Sequence, residues 1–434
     1  MHALRVRHGL RLSVAFGAGC LAVAFAAAVP ARAVTSAPSR PDRPVYPAQP
    51  VRAVRPAWPA QSVQSLEWWF SAWDITTKVW PLSRGAGVTV AVVDTGVQAS
   101  LPDIRSVVLP GGDVTGAGTH GMTDTMAPGG HGTGMASLIA GQGVDGGVLG
   151  IAPDAKILPV TVGNVSNASV GEIGSDTMVA AGIRYAVDHG AEVINLSLYS
   201  LASSASSCDP VLQNAVAYAL QHDAVVVAAA GNEGGSGNPP GQPASCAGVL
   251  AVGAVGPDLS LWSDSEQQTY VAVSAPGSEI VNLNADGGNG LAQGTSCSSA
   301  LVSGEAALIR SRYPSMPWYQ VVQRIINTAL PKGSPVPNDS YGYGIARIPG
   351  ALNAAKYKVA ASAPNPVYAA YQAWLASRAS PGRPHPAASS PAAAPGSPGG
   401  AAGPAIVIAV VVAVAASASA LAVVAARRRR RRQV

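Results

Sequence analysis

Charge is scarce in this 434-residue sequence: Asp, Glu, Lys and Arg together make up 12% of it, about half the usual share in globular proteins. A chain so poor in charge and 48% hydrophobic is not an intrinsically disordered protein. Aromatics are scarce too, 5% with three Phe. Four Cys are too few for a scaffold built on disulfides. No Cys/His spacing of a zinc site occurs; His120 and Asp124 share a Gly-rich loop, but no second His or Cys joins them. Asp-dense loops are missing as well, so no metal and no other cofactor is expected. What replaces charge is 48 Gly and 35 Pro, which excludes a coiled coil.

The formal charge of +5 is an end effect. Residues 1–33 carry four Arg and no acid, and residues 427–432 are six consecutive Arg. Between them, 18 Lys and Arg face 23 Asp and Glu. The body is therefore mildly acidic, and a nucleic-acid partner is not expected.

The two ends also say where the chain resides. Arg5, Arg7 and Arg11 precede an apolar run from Leu12 to Val29, and Ala31-Arg32-Ala33 supplies a small-x-small cleavage site. Residues 1–33 thus read as a secretory signal peptide. At the other end, 405–426 is a run of 22 residues without a charge. As a helix it spans about 33 Å, enough to cross the hydrocarbon core. The Arg run behind it marks that end as cytoplasmic by the positive-inside rule. The expected arrangement is a single-pass membrane protein with its body outside the cell and residues 427–434 as a cytoplasmic tail.

Composition divides the rest. Residues 34–84 form an N-terminal extension, Pro-rich at first and then holding Trp68, Trp69, Trp73 and Trp80. Their spacing predicts a short helix that lays aromatics on something larger, as a wrap around the domain that follows. Residues 351–404 are rich in Ala, Pro and Gly and read as a linker. In 85–350, the runs Gly87–Val93, Val193–Leu198, Ala224–Ala230 and Val249–Val255 are continuously apolar. Such runs suit strands buried on both faces of a parallel sheet. Ser175–His189 and Pro210–His222 have helical patterning between them. The alternation predicts an α/β fold, a mainly parallel sheet covered by helices on both faces. Ligands of such sheets bind at the carboxyl ends of the strands.

Four motifs place chemistry there. Asp94 follows the first run in Val92-Val93-Asp94-Thr95-Gly96. His131 opens a segment of small residues, Gly130-His131-Gly132-Thr133-Gly134. Ser296 lies in Gly294-Thr295-Ser296-Cys297-Ser298-Ser299-Ala300, where a hydroxyl meets the start of a helix and its free N–H groups. Asn232 ends the third strand in Ala229-Ala230-Gly231-Asn232-Glu233. Singly each motif has a structural explanation. Together, and in this order, they resemble the subtilisin-like serine proteases, over residues 85–350.

The resemblance implies peptide hydrolysis by a Ser/His/Asp triad. Ser296 would be the nucleophile, His131 its base, and Asp94 the group that orients the imidazole. Asn232 would stabilise the oxyanion. Ser197, Leu198 and Gly231 would bind the substrate backbone. There are departures: Gly134 stands where the family often has a second His, and Tyr199 where its Ser-Leu strand continues with Gly, so the cleft is expected to be narrower. The overall architecture further resembles the mycosins, membrane-anchored proteases associated with type VII secretion. That implies secretion-system membrane components as partners, besides protein or peptide substrates. The alternatives are a structural member of such a complex with a weak or unused site, or an unrelated anchored subtilase.

Three cysteines remain after the leader. Cys208 and Cys246 lie in polar loops flanking the Asn232 segment and are expected to pair as a disulfide, with Cys297 left free.

Overall fold

In the computed structural model, residues 62–126, 129–163 and 174–379 are described. The signal peptide, the transmembrane segment 405–426 and the Arg tail expected from sequence lie outside the described residues. No helix among the described residues is long and apolar enough to cross a membrane.

The described chain starts with a 3-10 turn at Val63–Leu66, helix α1 (Trp68–Ala72) and a π-type turn at Ile75–Val79. Strands β1 (Thr89–Asp94) and β2 (Gly112–Asp113) lead to helix α2 (His131–Ala140). Then come β3 (Lys156–Thr161), α3 (Asp176–Asp188), β4 (Val193–Leu196) and β5 (Ser200–Leu201). Helix α4 (Pro210–Gln221), β6 (Val225–Ala229), β7 (Gly241–Gln242) and β8 (Leu250–Val255) follow. Strands β9 (Val271–Pro276), β10 (Ile280–Leu283) and β11 (Asn289–Ala292) precede α5 (Thr295–Arg312), α6 (Trp318–Thr328) and α7 (Ile348–Leu352).

Seven strands form one parallel sheet in the order β2-β3-β1-β4-β6-β8-β9. Every residue of β4, β6, β8 and β9 is buried, which is why these strands read as unbroken apolar runs. Helices α3 and α4 pack together, α3 against β1 and β3 and α4 against β6. Helix α5 lies on β4, β6, β8 and β9 and meets α2. It is buried from Cys297 to Arg310, so it needs small residues in place of an amphipathic stripe. At Gly304 a Cβ would come within 2.6 Å of Ile151.

The four strands and two helices expected from sequence are all present. The structure adds β3, whose Pro159 breaks a strand reading. Ile157 and Thr161 exchange backbone bonds with Val107, Leu109 and Val114. Pro159, midway between them, faces the same edge and has no N–H to offer. The expected linker is also not wholly irregular. The chain divides into two units after Pro364, and in the second Pro366–Ala379 is a helix, α8, with Val367 and Tyr371 buried four residues apart.

The extension is tied down by its indoles. Trp68 donates to the Ser278 carbonyl at 3.2 Å, Trp73 to Ala346 at 2.8 Å and Trp80 to Ile151 at 2.9 Å. Trp69, Ile75 and Val79 are fully buried. Trp68, Trp73 and Trp80 thus pack apolar ring surface and still satisfy their N–H groups, whereas the buried Trp69 N–H has no partner among the described residues.

Candidate active site

Asp94 is the last residue of β1 and His131 the first of α2. Asp94 Oδ1 accepts from the Thr95 backbone N–H at 2.7 Å and lies 2.8 Å from His131 Nδ1. Asp94 is fully buried, whereas the His131 side chain keeps 11% exposure. Facing an acceptor, Nδ1 carries the proton and Nε2 is left as the basic nitrogen. Burial works against a charged imidazole, but the Asp94 charge and hydrogen bond outweigh it and hold the His131 pKa above its ordinary value.

Ser296 is the second residue of α5. Its backbone N–H belongs to the first turn, which the helix ladder leaves free. Its hydroxyl donates to the Ser197 carbonyl at 3.4 Å, and the Ser197 hydroxyl donates to the Ser296 carbonyl at 3.0 Å. Ser197 follows β4, the hydrogen-bonded neighbour of β1, so the sheet brings Asp94 and the Ser296 contact to the same end. Among the described residues no hydrogen bond joins Ser296 to His131; such bonds often tighten only when substrate is bound.

Asn232 comes from the segment after β6. Its Oδ1 accepts from the Thr295 N–H at 2.9 Å and from the Thr295 hydroxyl at 2.8 Å. With its oxygen held by Thr295, the residue before Ser296, the amide can only offer Nδ2 as a donor. Two glycines make this fit possible. Gly294 has φ +151°, and a Cβ there would lie 3.3 Å from Asn232 Nδ2. Gly231 has φ +125°, and a Cβ there would strike the Glu266 carboxyl at 2.3 Å.

The expected substrate-backbone residues are near but differ in what they offer. Gly231 uses its N–H on Thr295 Oγ1 and its carbonyl on the Glu266 N–H, so it can serve as a wall and not as a hydrogen-bonding edge. Leu198 is buried, at 4% exposure. Cys297, next to Ser296, is buried, and burial pushes its thiol up to about 12. That removes it as a nucleophile. Cys208 and Cys246 are joined as a disulfide, with Cα atoms 4.9 Å apart. No group of three His, Cys, Asp or Glu that could hold a metal occurs among the described residues.

Residues 85–344 match the Peptidase S8 model of the subtilase family. The chain belongs to the subtilases. These are serine endopeptidases, and the chain is 36% identical to subtilisin DY of Bacillus licheniformis over 60% of its length and 88% of that protein. It is 34% identical to Mycosin-3 of Mycobacterium tuberculosis, over 58% of this chain and 64% of that one. The solved structure of the MycP3 protease from the type VII (ESX-3) secretion system matches with a TM-score of 0.58 and 33% identity, covering 68% of this chain and 90% of the other. MycP1 from the ESX-1 type VII secretion system matches at 0.60 and 30% identity, covering 69% and 87%. The subtilase fold and a relationship to the mycosins are thereby established.

One residue of this subtilase's site was not legible as such. Asp124, considered only as half of a metal pair, is buried and organises the Asp94–His131 corner. It accepts from Thr95 Oγ1 at 2.8 Å, from the Thr133 N–H at 2.8 Å and from the Thr133 hydroxyl at 2.6 Å. Thr95 in turn accepts from the Gly132 N–H. The only signal in the sequence was a pair of Thr next to the motif residues, each needing an acceptor. The departure at Gly134 is explained by packing: a Cβ there would lie 2.6 Å from Asn282 Nδ2, so β10 occupies the room a second His would need.

Proposed function

We propose that the chain is an anchored extracytoplasmic serine endopeptidase in which Ser296, His131 and Asp94 form the catalytic triad. Ser296 Oγ attacks the peptide carbonyl carbon while His131 Nε2 takes its proton. Asp94 holds the imidazole and stabilises its charged form. The negative oxygen of the tetrahedral intermediate is held by Asn232 Nδ2 and the Ser296 N–H. The intermediate collapses, the C–N bond breaks, and His131 returns the proton to the departing amine. Water then repeats the sequence on the acyl-enzyme and releases the acid. The observation that carries this reading is the 2.8 Å contact between Asp94 and His131, set at the strand ends beside an Asn232 amide whose oxygen is already taken. The anchoring part rests on residues 1–33 and 405–434, and the link to type VII secretion on the likeness to the mycosins. Comparing proteins released by cells that carry the wild type or Ser296→Ala tests it. Processing products that vanish with Ser296→Ala support the endopeptidase, and identical secreted proteins in both strains favour a scaffold.

A further inference from the structure

A substrate held for attack places its carbonyl carbon at Ser296 Oγ and its oxygen at Asn232 Nδ2. The side chain of the residue before the scissile bond must then enter between two chain segments, 197–199 and 230–232. Both touch the nucleophile's turn, the first through Ser197 on Ser296 and the second through Asn232 on Thr295. Their far ends are closed by the β5–β7 ribbon, in which Ser200 pairs with Gln242 and Leu201 with Gly241.

The ring of Tyr199 lies on Gly241, so close that a Cβ there would be 1.9 Å from the ring edge. Its hydroxyl donates to the Pro239 carbonyl at 3.2 Å. On the other segment, the Glu266 carboxyl fills the space next to Gly231. The hydroxyl of Tyr270 fastens this floor: it is 2.7 Å from Glu266 Oε2 and 3.1 Å from the Ala230 carbonyl, and it accepts from the Gly241 N–H at 3.0 Å. Burial pushes the Glu266 carboxyl up to about 8, so near neutral pH it is largely uncharged and offers no counter-ion to Lys or Arg.

We propose that Tyr199 fills the space for the side chain preceding the scissile bond, and that the enzyme therefore cleaves after small residues: Gly, Ala or Ser. The inference rests on the protease reading of Ser296. Large aromatic or aliphatic side chains would have to displace a ring that is anchored at its face and at its hydroxyl.

The test uses full-length protein in detergent, with active sites counted by a fluorophosphonate probe. Peptides identical except for Ala or Phe before the scissile bond are compared. The wild type should favour Ala by at least about tenfold in kcat/KM. Tyr199→Gly should raise the Phe-to-Ala ratio by at least about tenfold, and Tyr199→Phe, which keeps the ring, should retain the wild-type ratio. Equal rates in the wild type overturn the proposal, and this holds even where Tyr199→Gly does not fold. An unchanged ratio in a folded Tyr199→Gly overturns it too. Hydrolysis without preference defeats this proposal alone, whereas neither hydrolysis nor probe labelling defeats the protease reading with it.

Discussion

In the proposed mechanism His131 must be neutral to take the proton from Ser296. Protonation below its pKa therefore shuts the reaction down, and the rate falls as pH drops through that value. Because Asp94 holds the His131 pKa up, the acid limb of kcat/KM should have its midpoint above the ordinary histidine value of about 6.5. A pH profile of peptide hydrolysis checks this, and a midpoint well below about 6 would contradict it. Asp94→Asn should cut kcat by roughly 10⁴ while the protein stays folded. Asn232→Ala should cost about 10²–10³ in kcat. The motif residues could be read from sequence because chemistry restricts their types and their order along the chain. Asp124 could not, since its role depends on where Thr95 and Thr133 meet in space, and nothing in a linear pattern marks that meeting.

Among the elements, the N-terminal extension makes the sharpest prediction. Four Trp signalled a segment that needs a surface to lie on, and spacing predicted its short helix. The partners of those rings, carbonyls of Ser278, Ala346 and Ile151, lie 71 to 273 residues away and were invisible to any local pattern. Removing the chain up to about Ser83 should lower the Tm by roughly 10 °C, given the several kcal/mol that buried rings contribute, without any gain in peptide hydrolysis. A shorter form with unchanged Tm and much faster hydrolysis would instead make the segment an inhibitor. Glu67 adds a pH dependence. It accepts from the Leu149 N–H at 2.6 Å, and burial pushes its carboxyl up to about 8 against that bond, with Asp103 adding to the rise. An acid with a raised pKa is more protonated in the folded state than in the unfolded one, so stability falls as pH climbs from about 4.3 towards about 8. Glu67→Gln keeps an acceptor for Leu149 and removes that proton, so its Tm should decline less steeply across this window. Parallel curves for the two proteins would show that Glu67 does not titrate in this way.

At the scale of the whole molecule, the parallel sheet was readable at β1, β4, β6 and β8, whose runs are continuously apolar, but not at β9, which is equally buried and whose run is broken by Ser274 and ends at Pro276. It was not readable at its edge, where Pro159 and the two-residue β2 depend on neighbours for their place. The Cys208–Cys246 disulfide spans 38 residues and should contribute roughly 3–4 kcal/mol by restricting the unfolded chain. The double variant Cys208→Ser/Cys246→Ser should thus melt lower than the wild type, by calorimetry without reductant, and an equal Tm would remove this contribution. Protease added to intact cells should digest the catalytic body and spare the Arg tail; a tail open to digestion from outside would reverse the proposed orientation. The most direct measurement concerns Ser296 itself. Folded wild-type protein is treated with a fluorophosphonate probe, and the modified residue is located by mass spectrometry. The mechanism predicts labelling at Ser296, lost in Ser296→Ala and strongly slowed in Asp94→Asn; folded protein that stays unlabelled, or carries the label elsewhere, would contradict it.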